Sequence, residues 1–208
     1  MQMIKANFSL GAVILAAGRS VRMGRPKLLL PWGQTSVLGH LLSRWSAAGA
    51  NQIGVVHAAA DGPILAELDR LAVYPTERIE NPNTDRGMFS SVISAAQWSG
   101  WHPSLTHWAI VLGDQPHLKQ STLTRLVEFA ARHQEKICQP MHAGRHRHPV
   151  ALPKSVFLQL SNSTATNLKE FLLGREVAGV ECDDPGLDLD MDRPEDYEKA
   201  KALGWIEN

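Results

Sequence analysis

Short, uninterrupted apolar runs, separated by stretches of helical periodicity, restrict what this chain can fold into more than any other feature. Residues 12–16 (AVILA), 53–56 (IGVV) and 108–112 (WAIVL) are such runs. A strand with one wet face alternates apolar and polar residues, whereas an unbroken run suits a strand covered on both faces. Between the runs the pattern changes. Ser36 is placed to cap a helix carrying Val37, Leu38, Leu41, Leu42 and Trp45, which ends by Gly49. Ile64, Leu65, Leu68 and Leu71 predict a second helix, and residues 88–98 a third. Leu123, Leu126, Val127 and Ala130 predict a fourth, residues 166–173 a fifth ended by Gly174, and residues 194–203 a last one with Pro194 in its first turn. Residues 74–80, 137–141, 150–152 and 177–182 read as further strands. Alternating strands and helices predict an α/β chain with a mostly parallel central sheet and helices on both faces. No internal repeat, low-complexity tract or linker interrupts the pattern, so one domain over residues 1–208 is expected.

Charge narrows the partners. Lysine plus arginine equals aspartate plus glutamate at 21 each, a formal net charge of zero. A surface built for long nucleic acids carries a basic excess, so any anion bound here is small and held locally. The two cysteines, Cys138 and Cys182, have no partner nearby in sequence. They read as small core residues in a reducing compartment. No apolar run reaches the ~18 residues that span a bilayer. The opening segment "MQMIKANFSLGAVILAAG" has a short apolar core followed by a basic glycine loop, and it reads as a strand rather than a signal peptide. A cytoplasmic protein without membrane or nucleic-acid partners is expected.

The loop after the first run, "LAAGRSVRMGRPK" from Leu15 to Lys27, holds two glycines and the cations Arg19, Arg22, Arg25 and Lys27. Glycines let backbone N–H groups face a ligand without a Cβ in the way. Arginine forks onto phosphate oxygens, and lysine acts as a point charge. Neither G-x-G-x-x-G nor the Walker pattern is present. The competing reading is a solvated basic turn. Position favours the anion cradle, because ligands of parallel sheets sit beyond the carboxyl ends of the strands. The "GDQP" that follows the run at 108–112 falls at the same edge, so the two segments are expected to meet.

"LAAGRSVRMGRPKLLLPW" resembles the signature L-A-A-G-x-S-x-R-M-G-x-x-K of the MobA-like nucleotidyltransferases, in detail their molybdenum cofactor cytidylyltransferase branch. The resemblance continues through "NPNTDRGMFSSV", "LGDQP", "HPV" and "DLDMDRPEDY" in that order, over almost the whole chain. It implies a Rossmann-like three-layer α/β/α sandwich of the nucleotide-diphospho-sugar transferase kind. It implies Mg²⁺-dependent transfer of CMP from CTP to the terminal phosphate of molybdenum-loaded molybdopterin, with release of pyrophosphate and passage of the product to a molybdenum hydroxylase. By the same resemblance Leu15, Ala16, Ala17, Gly18, Arg19, Arg22 and Lys27 hold the nucleotide, with Arg22, Lys27 and Asp114 in catalytic roles. Asp114 and Asp192 match the metal carboxylates, and Asp190 is the close rival of Asp192. Gly87, Ser90 and Ser91 match the segment beside ribose and base, and Ala17 stands where base choice between CTP and GTP is made. Other readings stay open: GTP as donor, a sugar-phosphate-like acceptor, or a non-catalytic molybdopterin chaperone.

One departure bears on the acceptor. The branch shows Gly-His-Pro where this chain has Arg147, His148 and Pro149, which makes Arg147 and His148 candidate acceptor contacts. His142, His146 and His148 also lie close together, with His146 and His148 expected on one strand face. A metal there is disfavoured, since no cysteine cluster completes a tetrahedral set.

Overall fold

A computed structural model describes residues 8–204. Residues 1–7 and 205–208 lie outside the described residues, and with them the ends of the 1–208 domain expectation and the start of the segment weighed as a signal peptide. The strands are β1 (Leu10–Leu15), β2 (Pro31–Trp32), β3 (Thr35–Ser36), β4 (Gln52–Ala58), β5 (Arg78–Asn81), β6 (His107–Leu112), β7 (Ile137–His142), β8 (Arg145–His146), β9 (Val150–Pro153) and β10 (Val177–Glu181). The α-helices are α1 (Val37–Ala47), α2 (Gly62–Arg70), α3 (Met88–Gln97), α4 (Gln120–Arg132), α5 (Lys154–Phe157), α6 (Leu168–Leu172) and α7 (Pro194–Gly204).

The main sheet runs β10-β7-β9-β6-β1-β4-β5, with β8 hooked onto β7, while β2 and β3 form a separate hairpin. β1 pairs in parallel with both β4 and β6, β4 with β5, and β7 with β10. β9 is antiparallel to β6 and β7. The sheet is therefore mostly parallel, as the run lengths predict. β1 is buried along its whole length. Its residues alternate between two cores: Leu10, Ala12 and Ile14 join Leu38, Leu41, Trp45 and Leu68 of α1 and α2, and Val13 and Leu15 join Phe89, Val92, Phe157 and Phe171 of α3, α5 and α6. These are the two helical layers of a three-layer sandwich. Each fully buried Leu- or Ile-sized side chain contributes roughly 1.5–3 kcal/mol. Ser36 caps α1 as expected, its Oγ accepting from Gly39 N at 3.0 Å. Both cysteines are buried thiols, and burial pushes Cys138 up to about 11.

Three local expectations are corrected. The strand predicted over 74–80 starts only at Arg78, because Pro75 opens a 3₁₀ turn closed by Glu77 N on Tyr74 O. The helix predicted over 166–173 is α6 alone, begun by Asn167, whose Oδ1 accepts from Glu170 N at 2.8 Å. His146 and His148 do not share a strand face: β8 ends at His146, and the chain turns through a cis His148–Pro149 bond before β9. Among the described residues no helix is long and apolar enough to cross a membrane.

From β1 the chain crosses to β4 and β5 on one side, then returns to place β6 on the other side of β1. The strand order thus reverses between β1 and β6, which is where open α/β sheets bind ligands. The two strands end level, Leu15 opposite Leu112. They also end close: a Cβ on Gly113 would stand 2.7 Å from the Leu15 carbonyl oxygen. The added Cβ is fixed by its own backbone and meets a backbone oxygen, so neither can rotate away. Gly113→Ala is therefore expected to lose ~1–3 kcal/mol in urea unfolding and to impair the site that begins at the next residue. Unfolding indistinguishable from wild type would show that the two loops can part at no cost.

Candidate active site

The loop leaving β1 is shaped by its sequence. Ser20 and Gly24 take left-handed backbone at φ 48° and 70°, on either side of a 3₁₀ turn over Val21–Met23. The Ser20 hydroxyl accepts from Lys27 N at 3.1 Å, which folds the loop back and starts the turn Lys27–Leu29. Lys27 is thereby aimed at the end of β6. Its Nζ lies 2.6 Å from Asp114 Oδ2 and 3.3 Å from Asp192 Oδ1. Arg22 Nη1 reaches Asp192 Oδ2 at 2.6 Å. The two carboxylates come from the middle of the chain and from near its C-terminus, and their segments are tied by backbone, Met191 N donating to Asp114 O at 3.1 Å. Asp114 Oδ1 is buried and has no hydrogen-bond partner among the described residues.

Beside this cluster is a cavity of about 350 Å³, lined by Leu15, Ala17, Gly18, Arg19, Lys27, Gly87, Ser91 and Asp114, with Thr84 and Asp85 at its rim. Gly87 has φ 84° and ψ 178°, a combination open to glycine alone, and it delivers the start of α3 to the cavity wall. The two candidate serines part here. Asn81, fully buried, donates to Ser90 Oγ at 2.8 Å and Ser91 Oγ at 2.9 Å. Ser90 then donates to Gly87 O at 2.7 Å and faces a different groove, so its hydroxyl serves the turn and Ser91 alone of the pair lines the cavity. Ala16 is buried in the core beneath, and Arg22 approaches from outside through Asp192. Asn81 was missed by sequence reasoning, although the turn signal "NPN" begins with it.

A larger cavity of about 780 Å³ shares the lining residue Leu112 with the first. Arg145, His146, Arg147 and Lys169 give its lining a basic side and Leu168, Leu172 and Val177 an apolar one, and Gln115, His148 and Asp190 also line it. Arg147 is paired with Asp188, Nη2 to Oδ1 at 2.5 Å. His148 is lowered, first by burial and against the pull of Asp114 and a backbone hydrogen bond with Ile110, so the ring is neutral; its Nδ1 is buried without a partner among the described residues. Asp190 takes a hydrogen bond from Gln115 Nε2 at 3.0 Å instead of joining Lys27. Burial, then the charge of Asp114, raises its carboxyl. Asp192 thus pairs with Lys27 and Arg22, and Asp190 hydrogen-bonds Gln115 while feeling the charges of Asp114, Asp192 and Lys27. His142 hydrogen-bonds Cys182 O through Nδ1 at 3.2 Å and is 3.9 Å from Asp188 through Nε2, while His146 is exposed. Among the described residues no three His, Cys, Asp or Glu side chains are grouped as a metal site.

The model of the MobA-like NTP transferase domain matches residues 12–179. The chain belongs to that family. A molybdenum cofactor cytidylyltransferase of Escherichia coli K12 is 28% identical over 93% of this chain and 96% of its own length. A molybdenum cofactor guanylyltransferase of Rhizobium johnstonii is 29% identical over 84% of this chain and 82% of its own. Among solved structures, the Mycobacterium tuberculosis protein Rv0371c in complex with manganese superposes with a TM-score of 0.64 at 26% identity, over 93% of this chain and 98% of that one. Within a MobA-like domain, the cluster at the β1/β6 switch point belongs to a nucleotidyltransferase enzyme.

Proposed function

We propose that this enzyme transfers CMP from CTP to the terminal phosphate of molybdenum-bearing molybdopterin, the whole chain acting as one domain. The observation that carries the reading is the meeting of Lys27, Arg22, Asp114 and Asp192 at the β1/β6 edge, with Lys27 and Asp114 in the wall of the smaller cavity and Leu112 shared between that cavity and the larger one. The smaller cavity takes the nucleotide and the larger one, with its basic side, the acceptor. An acceptor phosphate oxygen then bonds to the α-phosphorus, and the bond to pyrophosphate breaks. Two polyanions must be aligned, so positioning and charge neutralisation dominate the barrier.

In this reading Gly18 and its neighbours offer backbone N–H groups to the triphosphate, while Arg19 and Lys27 supply positive charge. Arg147 and His148 orient the acceptor, His148 as a neutral imidazole. The residues fit a divalent cation: Mg²⁺ takes one or two carboxylates and completes its shell with phosphate oxygens and water, and Asp114 offers a buried oxygen that nothing among the described residues satisfies. Asp192 is the second carboxylate. The manganese complex of Rv0371c supports a divalent metal in this fold. Bound there, the cation would offset charge on the phosphate oxygens. CTP is favoured over GTP by Ala17 in the cavity wall and by the fuller coverage of the cytidylyl relative.

Pyrophosphate release is the test. Purified protein with Mg²⁺ and molybdenum-loaded molybdopterin is expected to release pyrophosphate with CTP at least tenfold faster than with GTP. The reverse preference assigns the guanylyl reaction. Cofactor binding without any release assigns a chaperone.

A further inference from the structure

The functional reading gives Lys27 to phosphate and Asp114 with Asp192 to metal, yet in this structure those groups engage one another. The Lys27 ammonium lies between the two carboxylates, 2.6 Å from one and 3.3 Å from the other, and Arg22 closes the set at 2.6 Å from Asp192. Two positive and two negative side chains cancel. A triphosphate arriving alone would meet Lys27 and Arg22 already neutralised. A metal arriving alone would find Asp114 Oδ1 open but positive charge already on Asp114 Oδ2 and on both oxygens of Asp192. Exposure grades the four groups: the Lys27 and Asp114 side chains are 15% and 18% exposed, against 40% for Asp192 and 70% for Arg22. The inner pair is poorly screened: losing the Asp114 charge leaves Lys27 with Asp192 alone, whereas losing the Lys27 charge leaves Asp114 uncompensated. Arg22 is free to leave for solvent at little cost. Only one arrangement satisfies every charge once substrate is present: carboxylates on metal and the lysine on phosphate.

We propose that Lys27 is a resident cation, competing with the divalent metal for Asp114 and Asp192 and holding metal binding back until a triphosphate draws the ammonium away. This rests on the reading of the two aspartates as metal carboxylates. It makes Lys27 a gate on metal entry as well as a phosphate contact. A lysine that only touched phosphate would leave metal affinity in the absence of nucleotide untouched.

Mn²⁺ titrations followed by electron paramagnetic resonance, without nucleotide, separate the two. Lys27→Met is expected to bind Mn²⁺ about fivefold or more tighter than wild type, the lower end of ordinary coupling between sites. Lys27→Arg, which keeps the charge, should stay near wild type. Adding Asp114→Asn to Lys27→Met should abolish the gain. If Lys27→Met does not fold, Lys27→Gln carries the same expectation. Mn²⁺ bound no tighter by the neutral variants than by wild type, including no detectable binding by any form, overturns the proposal. Calorimetry of CTP and GTP binding to wild type with Mg²⁺ tests the functional reading on its own. Nucleotide bound without the Mn²⁺ gain rejects the resident cation alone, and a Mn²⁺ gain without nucleotide binding rejects the nucleotidyl reading of this site.

Discussion

Asp114→Asn is expected to slow pyrophosphate release by roughly 10²–10³-fold, the usual loss when one preorganised electrostatic group is removed from a reacting centre. The substitution keeps the shape of the side chain and removes its charge. Its backbone tie to Met191 survives, because that bond uses the carbonyl oxygen. Lys27 keeps Asp192 as a partner, so the fold loses only about 1 kcal/mol. Activity and stability are thereby separated: kcat should collapse while thermal unfolding moves by a few degrees. The equivalent change at Asp190 should do much less to kcat, since that carboxylate bonds Gln115 and stands outside the Lys27 cluster. Asp114→Asn with activity within tenfold of wild type would place the chemistry elsewhere. Asp190→Asn as damaging as Asp114→Asn would reverse the choice between Asp190 and Asp192.

Which parts of this architecture could be read from sequence follows from the range of the forces involved. β1 and β6 were legible because burial on both faces leaves an unbroken apolar run, and α1 because its cap and its periodicity are local. That Lys27 and Asp114 would meet could be expected, since both follow strands at one sheet edge. Asp190 and Asp192 could not be told apart. They flank the fully buried Met191, so both project away from the core, and only distant partners distinguish them: Gln115 for one, Lys27 and Arg22 for the other. Ser90 and Ser91 were inseparable for a similar reason, because the buried amide of Asn81 engages both and only the turn at Gly87 takes one of them. β8 escaped notice because two residues carry no period, and Pro75 shortened β5 by converting its expected start into a turn. The apolar pattern specifies layers, while the site's polar partners are chosen by tertiary contacts that no window of sequence contains.

The segment that brings Asp190 and Asp192 to the site depends on a residue with no such pattern. Asp184 is 2% exposed, and its carboxylate accepts three hydrogen bonds: from Lys119 N at 2.9 Å, Thr122 Oγ1 at 2.7 Å and Gly186 N at 3.0 Å. It thus clamps the 3₁₀ turn Pro185–Asp188 against the start of α4. His117 adds a second tie through Nε2 to Gly186 O at 3.0 Å, and Gly186 is pressed so close that a Cβ there would stand 2.8 Å from the His117 ring. Asp184→Ala would leave two backbone donors and a hydroxyl buried without acceptors. Each such group costs ~1–3 kcal/mol, partly recovered by hydroxyl rotation and local opening. A loss of about 3 kcal/mol or more is expected, which lowers Tm by roughly 6–12 °C for a chain of this size. Asp184→Asn keeps one oxygen acceptor and should lose less than half of that. Because the clamp lies upstream of Asp192, the alanine variant assayed well below its Tm should also need more Mg²⁺ for half-maximal rate, with kcat at saturating metal nearly restored. Saturating metal can restore the rate only if the carboxylates are misplaced rather than lost. Asp184→Ala within 1 kcal/mol of wild type in urea unfolding would mean that His117 alone holds the turn, and an unchanged Mg²⁺ requirement would mean that Asp192 is positioned from α7 instead.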